Sequence, residues 1–232
     1  MNLINQYALL LETNQQIITL PEGTQTMNVN DYFVIQTNRG IEHAKIIYRY
    51  QVSDCEKKRK SNISCNKILR SVSPEDLSRI HDLPKIHADY HEAAKQVLKT
   101  IHPQFRLIHS ELLFDLKHFF IDYTIISEAA AKRKSLISQF TSTLAKQLNC
   151  KVIITEATDR NVAKTTGGIG ICGYELCCYR FLNKYPQVSV KLAKEQGLPI
   201  NIPKLSGQCN KLKCCLKYEK ENYTNGQLSI EK

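Results

Sequence analysis

Two segments near the end of the chain carry one pattern twice. Cys172-Gly173-Tyr174-Glu175-Leu176-Cys177-Cys178 and Cys209-Asn210-Lys211-Leu212-Lys213-Cys214-Cys215 are both Cys-x4-Cys-Cys, and the second lies 37 residues after the first at all three cysteine positions. Thiolates are soft, strongly donating ligands, and four of them surround a tetrahedral zinc or the corners of an iron–sulfur cluster equally well. Adjacent side chains point to opposite faces of a strand and diverge by about 100° on a helix, so both members of a Cys-Cys pair rarely suit one metal. The simplest arrangement puts Cys172, Cys177, Cys209 and Cys214 in one centre. Cys178 and Cys215 are then spare, either buried or offered to a second centre shared with another subunit.

The remaining composition frames that motif. A chain of 232 residues, 42% apolar and 23% charged, is ordinary globular material with enough length for one large or two small domains. No stretch approaches the roughly 18 uninterrupted apolar residues of a spanning helix, and the opening MNLINQYALLLETNQQ has neither a basic region nor a small-residue cleavage site. A cytoplasmic protein without membrane insertion is therefore expected. In that reducing compartment nine cysteines point to metal or thiol chemistry rather than disulfides. Cys150 ends an amphipathic helix and suits core packing, whereas Cys55 and Cys65 sit in a polar loop as exposed bystanders.

Hydrophobic periodicity predicts an α+β chain in five parts. Residues 1–52 form a small β-barrel-like domain, with strands at Tyr7–Leu11, Gln16–Leu20, Asp31–Thr37 and Glu42–Tyr50 separated by Pro21-Glu22-Gly23 and Asn38-Arg39-Gly40. Residues 53–73, with Glu56-Lys57-Lys58-Arg59-Lys60, are a polar basic loop. Residues 74–158 are an α-β-β-α-β layer on one antiparallel sheet. Its first helix is capped at Ser73-Pro74-Glu75-Asp76 and runs past Pro84 to about Ile101. A hairpin of Phe105–Asp115 and His118–Ile126 follows, then a helix capped by Ser127 with Leu136, Phe140, Leu144 and Leu148 on one face, and a strand at Lys151–Glu156. Residues 159–220 are an irregular, Cys-rich metal-binding region with one clear helix near Ser189–Gln196, and residues 221–232 are a tail. The Cys-rich region has too few apolar residues to fold on burial alone.

Charge concentrates where the thiols do. Residues 160–220 hold eleven Lys and Arg against three acids, a net +8 of the whole chain's +10. One reading is phosphate contact, with Arg180, Lys184, Lys191, Lys194, Lys211 and Lys213 neutralising an RNA backbone while Tyr174, Tyr179, Phe181 or Tyr185 stack on bases. The other is compensation of the thiolates' own negative charge, which accounts for only about two units. Thr165-Thr166-Gly167-Gly168-Ile169-Gly170 matches neither the P-loop nor a dinucleotide fingerprint and is expected to be a tight turn into Cys172. His87 and His91 are one helical turn apart but lack the rest of a metalloprotease helix, and a solvated helix face is expected. No nucleophile–base pair or paired carboxylates stand out, so a non-enzymatic binding or scaffold role is expected.

The series Thr166–Gly173, Leu176-Cys177-Cys178, Phe181-Leu182, Ser189–Leu198, Pro203–Cys209 and Cys214–Glu219 resembles the RicT/YaaT family, whose C-terminal domain is of the polymerase-suppressor (PSP) type. The resemblance extends more weakly through Asp31–Ile47 and the α-β-β-α-β region. It implies a subunit of a complex with two small helical proteins, RicA and RicF, that carries 4Fe–4S clusters and directs RNase Y to transcripts, with effects on mRNA maturation, sporulation and biofilm formation. The family's ligands fall on Cys172, Cys177, Cys178, Cys209, Cys214 and Cys215, which raises iron–sulfur over zinc. Tyr174 stands where the family commonly has Arg. A stand-alone RNA-binding module with a structural zinc, and a thiol redox protein using the vicinal cysteines, are the alternatives.

Overall fold

The computed structural model describes residues 3–11, 16–21, 27–53, 65–101, 105–125, 130–182 and 187–224. Five strands, β1 (Leu3–Leu11), β2 (Gln16–Pro21), β3 (Tyr32–Thr37), β4 (Ile41–Ser53) and β5 (Cys65–Ser71), make one sheet in the order β2-β1-β4-β3-β5. All its pairings are antiparallel. Tyr7, Leu9, Leu11, Ile18, Phe33, Ile35, Ala44 and Ile46 form its core. The ladder ends at β2 and β5, so the sheet stays open rather than closing as a barrel.

The segment expected to be loop contributes β5. Its charged face hides the strand from periodicity, because of its described side chains only Ile68 packs on the core, and partnership with β3 decides the matter. Cys65 opens this strand; Cys55 and the basic run Glu56-Lys57-Lys58-Arg59-Lys60 lie outside the described residues.

Helix α1 (Pro74–Ile101) runs through Pro84 and begins at the expected cap. The Ser73 amide and hydroxyl both donate to Asp76 Oδ2 at 2.9 Å, and the Asp76 amide returns to Ser73 Oγ at 3.3 Å, a reciprocal box that satisfies orphan donors of the first turn. Strands β6 (Phe105–Leu112) and β7 (His118–Ile125) form the expected hairpin. Leu116 takes the left-handed conformation its turn requires, at φ 56°. Helix α2 (Ala130–Leu148) leads to β8 (Lys151–Glu156); Ser127 lies outside the described residues. The sheet order is β6-β7-β8, and the Lys151 amide donates to the Lys117 carbonyl at 2.8 Å. That contact sets β8 beside the start of β7, so the β7-α2-β8 crossover is parallel, not antiparallel as the sequence suggested. Leu98, Phe119, Ile121, Phe140 and Leu144 centre this core, and Cys150 packs against it.

The chain divides into two compact units, Met1–Thr155 and Glu156–Lys232. The second is built of short helices: α3 (Asp159–Thr166), α4 (Cys177–Arg180), α5 (Val190–Glu195), α6 (Ile202–Leu205), α7 (Cys215–Tyr218) and α8 (Lys220–Thr224). Its core is small, Leu192, Ala193, Leu205 and Leu216, flanked by Val188, Leu198 and Leu212. Among the described residues no helix is long and apolar enough to cross a membrane.

Candidate metal centre

The 37-residue sequence repeat is a structural repeat. In the first copy the Gly170 amide donates to Tyr174 O at 2.8 Å, Gly173 to Gly170 O at 3.0 Å, Leu176 to Gly168 O at 3.0 Å and Phe181 to Cys177 O at 3.1 Å. In the second, Gly207 donates to Lys211 O at 2.8 Å, Asn210 to Gly207 O at 3.0 Å, Lys213 to Leu205 O at 2.9 Å and Tyr218 to Cys214 O at 3.1 Å. Each donor and acceptor of the second set is the first shifted by 37. Matching bridges, Ile169 with Glu175 and Ser206 with Leu212, close both loops. Each copy is thus one tight knuckle, with its first cysteine in the turn and its Cys-Cys pair at the entry to a one-turn helix.

One position per knuckle must be left-handed. Gly173 has φ 81° and its counterpart Asn210 φ 57°, and glycine and asparagine tolerate that region best. Ahead of the first knuckle Gly167 ends α3 with φ 72°. A Cβ there would stand 3.1 Å from the Tyr179 ring, so the expected tight turn into Cys172 is also a close packing point.

The knuckles face each other. Phe181 and Tyr218, equivalent by the repeat, put their ring centroids 5.2 Å apart, and Gln208 of the second knuckle donates to Ile169 O of the first at 3.5 Å. A residue touching its own equivalent lies near a two-fold axis, so the knuckles form a local pseudo-dyad. Between them lies a cavity of about 140 Å³ lined by Cys172, Cys177, Cys178, Cys209, Cys214 and Cys215 together with Arg160, Ile171, Leu176 and Lys213. All six motif cysteines meet there.

Their exposures are unequal. Cys178 is buried and Cys215 half-buried, whereas Cys172 is the exposed thiol. Of the two pair members set apart as spare, Cys178 takes the buried alternative, and Cys215 is half-buried like Cys177, Cys209 and Cys214. Burial is the first cause that pushes up the Cys178, Cys214 and Cys215 thiols, Cys215 to about 11. Nearby cysteines add to each shift, and Glu219 adds to that of Cys215. A cavity walled by thiols that resist joint ionisation favours a cation, which removes both penalties at once. Among the described residues no three His, Cys, Asp or Glu side chains are gathered tightly enough to hold an ion as they stand. Donor chemistry and convergence fit a thiolate-bound centre, with the sulfurs lining the cavity walls.

Of the basic residues singled out by sequence, Lys213 joins the thiols at the cavity. Arg180, Lys191, Lys194 and Lys211 are exposed outside its lining, and Lys191 pairs with Glu195 at 3.8 Å. Lys184 and Tyr185 lie outside the described residues. Arg160, in the first turn of α3, was not legible as a site residue, because nothing in the sequence brings it to cysteines up to 55 positions away. His87 and His91 do not form a solvated face: both reach Ser110 on β6, with His87 Nε2 2.9 Å and His91 Nδ1 2.8 Å from its Oγ.

Fold and site together define an α+β protein whose smaller unit presents paired thiol knuckles around one cavity. Residues 187–230 match the third domain of PSP1-like proteins. The Stage 0 sporulation protein YaaT of Bacillus subtilis (strain 168) is 27% identical over 190 residues, covering 82% of this chain and 66% of that protein, just under two thirds of the relative's length. No solved structure matches. The chain is thus similar to PSP1-like proteins in its C-terminal part and to YaaT over most of its length.

Proposed function

We propose that this chain is a non-catalytic, regulatory subunit of a cytoplasmic RNA-processing complex. It holds a 4Fe–4S cluster on its knuckles, assembles with RicA- and RicF-like proteins, and directs RNase Y to transcripts. The name of the Bacillus relative ties that protein to sporulation, and a regulatory role there extends naturally to this one. The observation that carries the reading is the convergence of six cysteines from two equivalent knuckles on one cavity.

Size supports a cluster over zinc. Four thiolates about 2.3 Å from a zinc ion enclose it without a void, while a 140 Å³ thiol-lined space suits a larger group. When bound, such a cluster supplies one-electron chemistry and a cross-link between the knuckles. Four thiolates would hold it, one to each iron, drawn from Cys177, Cys178, Cys209, Cys214 and Cys215 on the two facing loops. The exposed Cys172 is the thiol best placed to be met by a partner. Raised thiols argue against a redox enzyme acting through free vicinal cysteines, since the thiolate is the nucleophile. Lys211 and Lys213 provide phosphate contacts beside the site.

Anaerobic co-purification of the full chain with its RicA- and RicF-like proteins tests this. A brown complex containing iron and acid-labile sulfide, bleached by dithionite, is expected. A colourless protein with stoichiometric zinc overturns the cluster.

A further inference from the structure

The two knuckles have one backbone and two chemistries. At the tip of the first, Ile169, Ile171 and Tyr174 are 60%, 61% and 74% exposed. Their counterparts in the second are Ser206, Gln208 and Lys211, and that loop closes with the same hydrogen bonds. The fold therefore has no need of apolar residues at these three positions. The repeat is an internal control, which separates residues kept for the loop from residues kept for something else. Three large apolar groups held in water at a loop tip mark a contact surface.

We infer that the tip of the first knuckle, Ile169, Ile171 and Tyr174, docks a protein partner whose surface is apolar at the point of contact and acidic around it. Two branched aliphatic side chains neither stack on a nucleobase nor pair with a phosphate, so burying them rewards an apolar protein surface and not a polyanion. The surroundings set the partner's charge. Arg160 and Lys213 line the same cavity as Ile171, and Lys211 crowns the neighbouring tip, within a region carrying most of the chain's positive surplus. A second copy of the chain brings that same surplus and is repelled, whereas an acidic rim is steered in and held. This deepens the proposed assembly by naming its surface and its partner's character, and it requires neither the cluster nor RNA.

The repeat also supplies the variant that tests it. Ile169→Ser and Tyr174→Lys together give the first knuckle the second knuckle's residues at the two tip positions that stay out of the cavity lining, residues this backbone already accommodates. A benzophenone amino acid at position 174 of the full chain, expressed in its own cells and photolysed, is expected to cross-link to an acidic protein, identified by mass spectrometry. That protein is then purified and titrated against the wild-type chain and the double variant. At least a tenfold weakening in the variant is expected, with its iron and sulfide content unchanged. An adduct to RNA, to a second copy or to a basic protein, the absence of an adduct, or equal affinity of the two chains overturns the inference. A chain that binds this partner but carries no cluster overturns the proposed cofactor and leaves the docking surface standing.

Discussion

Asp76 shows how much one side chain can gather. It is 3% exposed, closes the Ser73 box, and pairs with Arg70 on β5. The guanidinium is the first cause that holds its carboxyl well below the usual carboxylate range, against the opposing cost of burial. A depressed carboxyl stabilises the fold fully above its unfolded value, about 3.9, and that contribution is lost as pH falls toward the folded value. Ser73→Ala is expected to cost about 1 kcal/mol in denaturant unfolding at neutral pH. Asp76→Asn is expected to flatten the loss of stability measured on acidification below about pH 4.

Ser110 is a second such residue. Its carbonyl can only accept, so His87 Nε2, at 3.0 Å, carries a proton, and its hydroxyl oxygen bonds His91 Nδ1 as well, at 2.8 Å. Burial is the first cause that lowers His87, with His91 and His109 adding to it, while the Ser110 carbonyl and Glu111 oppose it. A histidine lowered on folding stays neutral where the unfolded chain already binds a proton, so stability falls as pH drops below about 6.5. His87→Asn is expected to shallow that slope in unfolding titrations between about pH 7 and 5, and Ser110→Ala to cost about 1–3 kcal/mol. The cap was legible because its partners are three residues apart. The histidines were not, because their partner lies on a strand about twenty positions away.

At the scale of the element, the knuckle was legible as a spacing and illegible as an orientation. A shift of 37 residues that preserves three cysteines also preserves four hydrogen bonds, since the loop geometry follows from Gly170 and Gly207 and from a left-handed fourth position. Nothing within 4 Å would meet a Cβ at Gly173, so the cost of substitution there is conformational alone. Gly173→Ala is expected to lower stability by about 1 kcal/mol in thermal unfolding. Gly173→Asn, which writes the second knuckle's residue into the first, is expected to cost less than half of that. Divergence of adjacent side chains set Cys178 and Cys215 apart from their neighbours and left open whether each is buried, which the packing of helices only four residues long decides. Strand β5 was missed for a related reason: an edge strand that buries one described side chain carries almost no periodic signal, and β3 specifies it.

The whole molecule is uneven in what holds it. The first unit has two apolar cores, one under the five-stranded sheet and one between α1, α2 and the three-stranded sheet. Among the described residues the second unit has one small core cluster of four buried apolar side chains, and a thiol-lined cavity beside it. Burial at about 25 cal/mol per Å² rewards the first far more than the second, so the proposed cluster would supply the knuckles with a larger share of their stability. Local opening follows the weakest contacts. Cys177→Ser with Cys214→Ser, or anaerobic chelation of the purified chain, is therefore expected to raise hydrogen exchange across residues 159–182 and 202–219 while amides of β1, β4, β6 and β7 keep their protection. Equal protection of the knuckles with and without the group would place their stability in the short helices, and uniform loss across both units would make the chain one cooperative body.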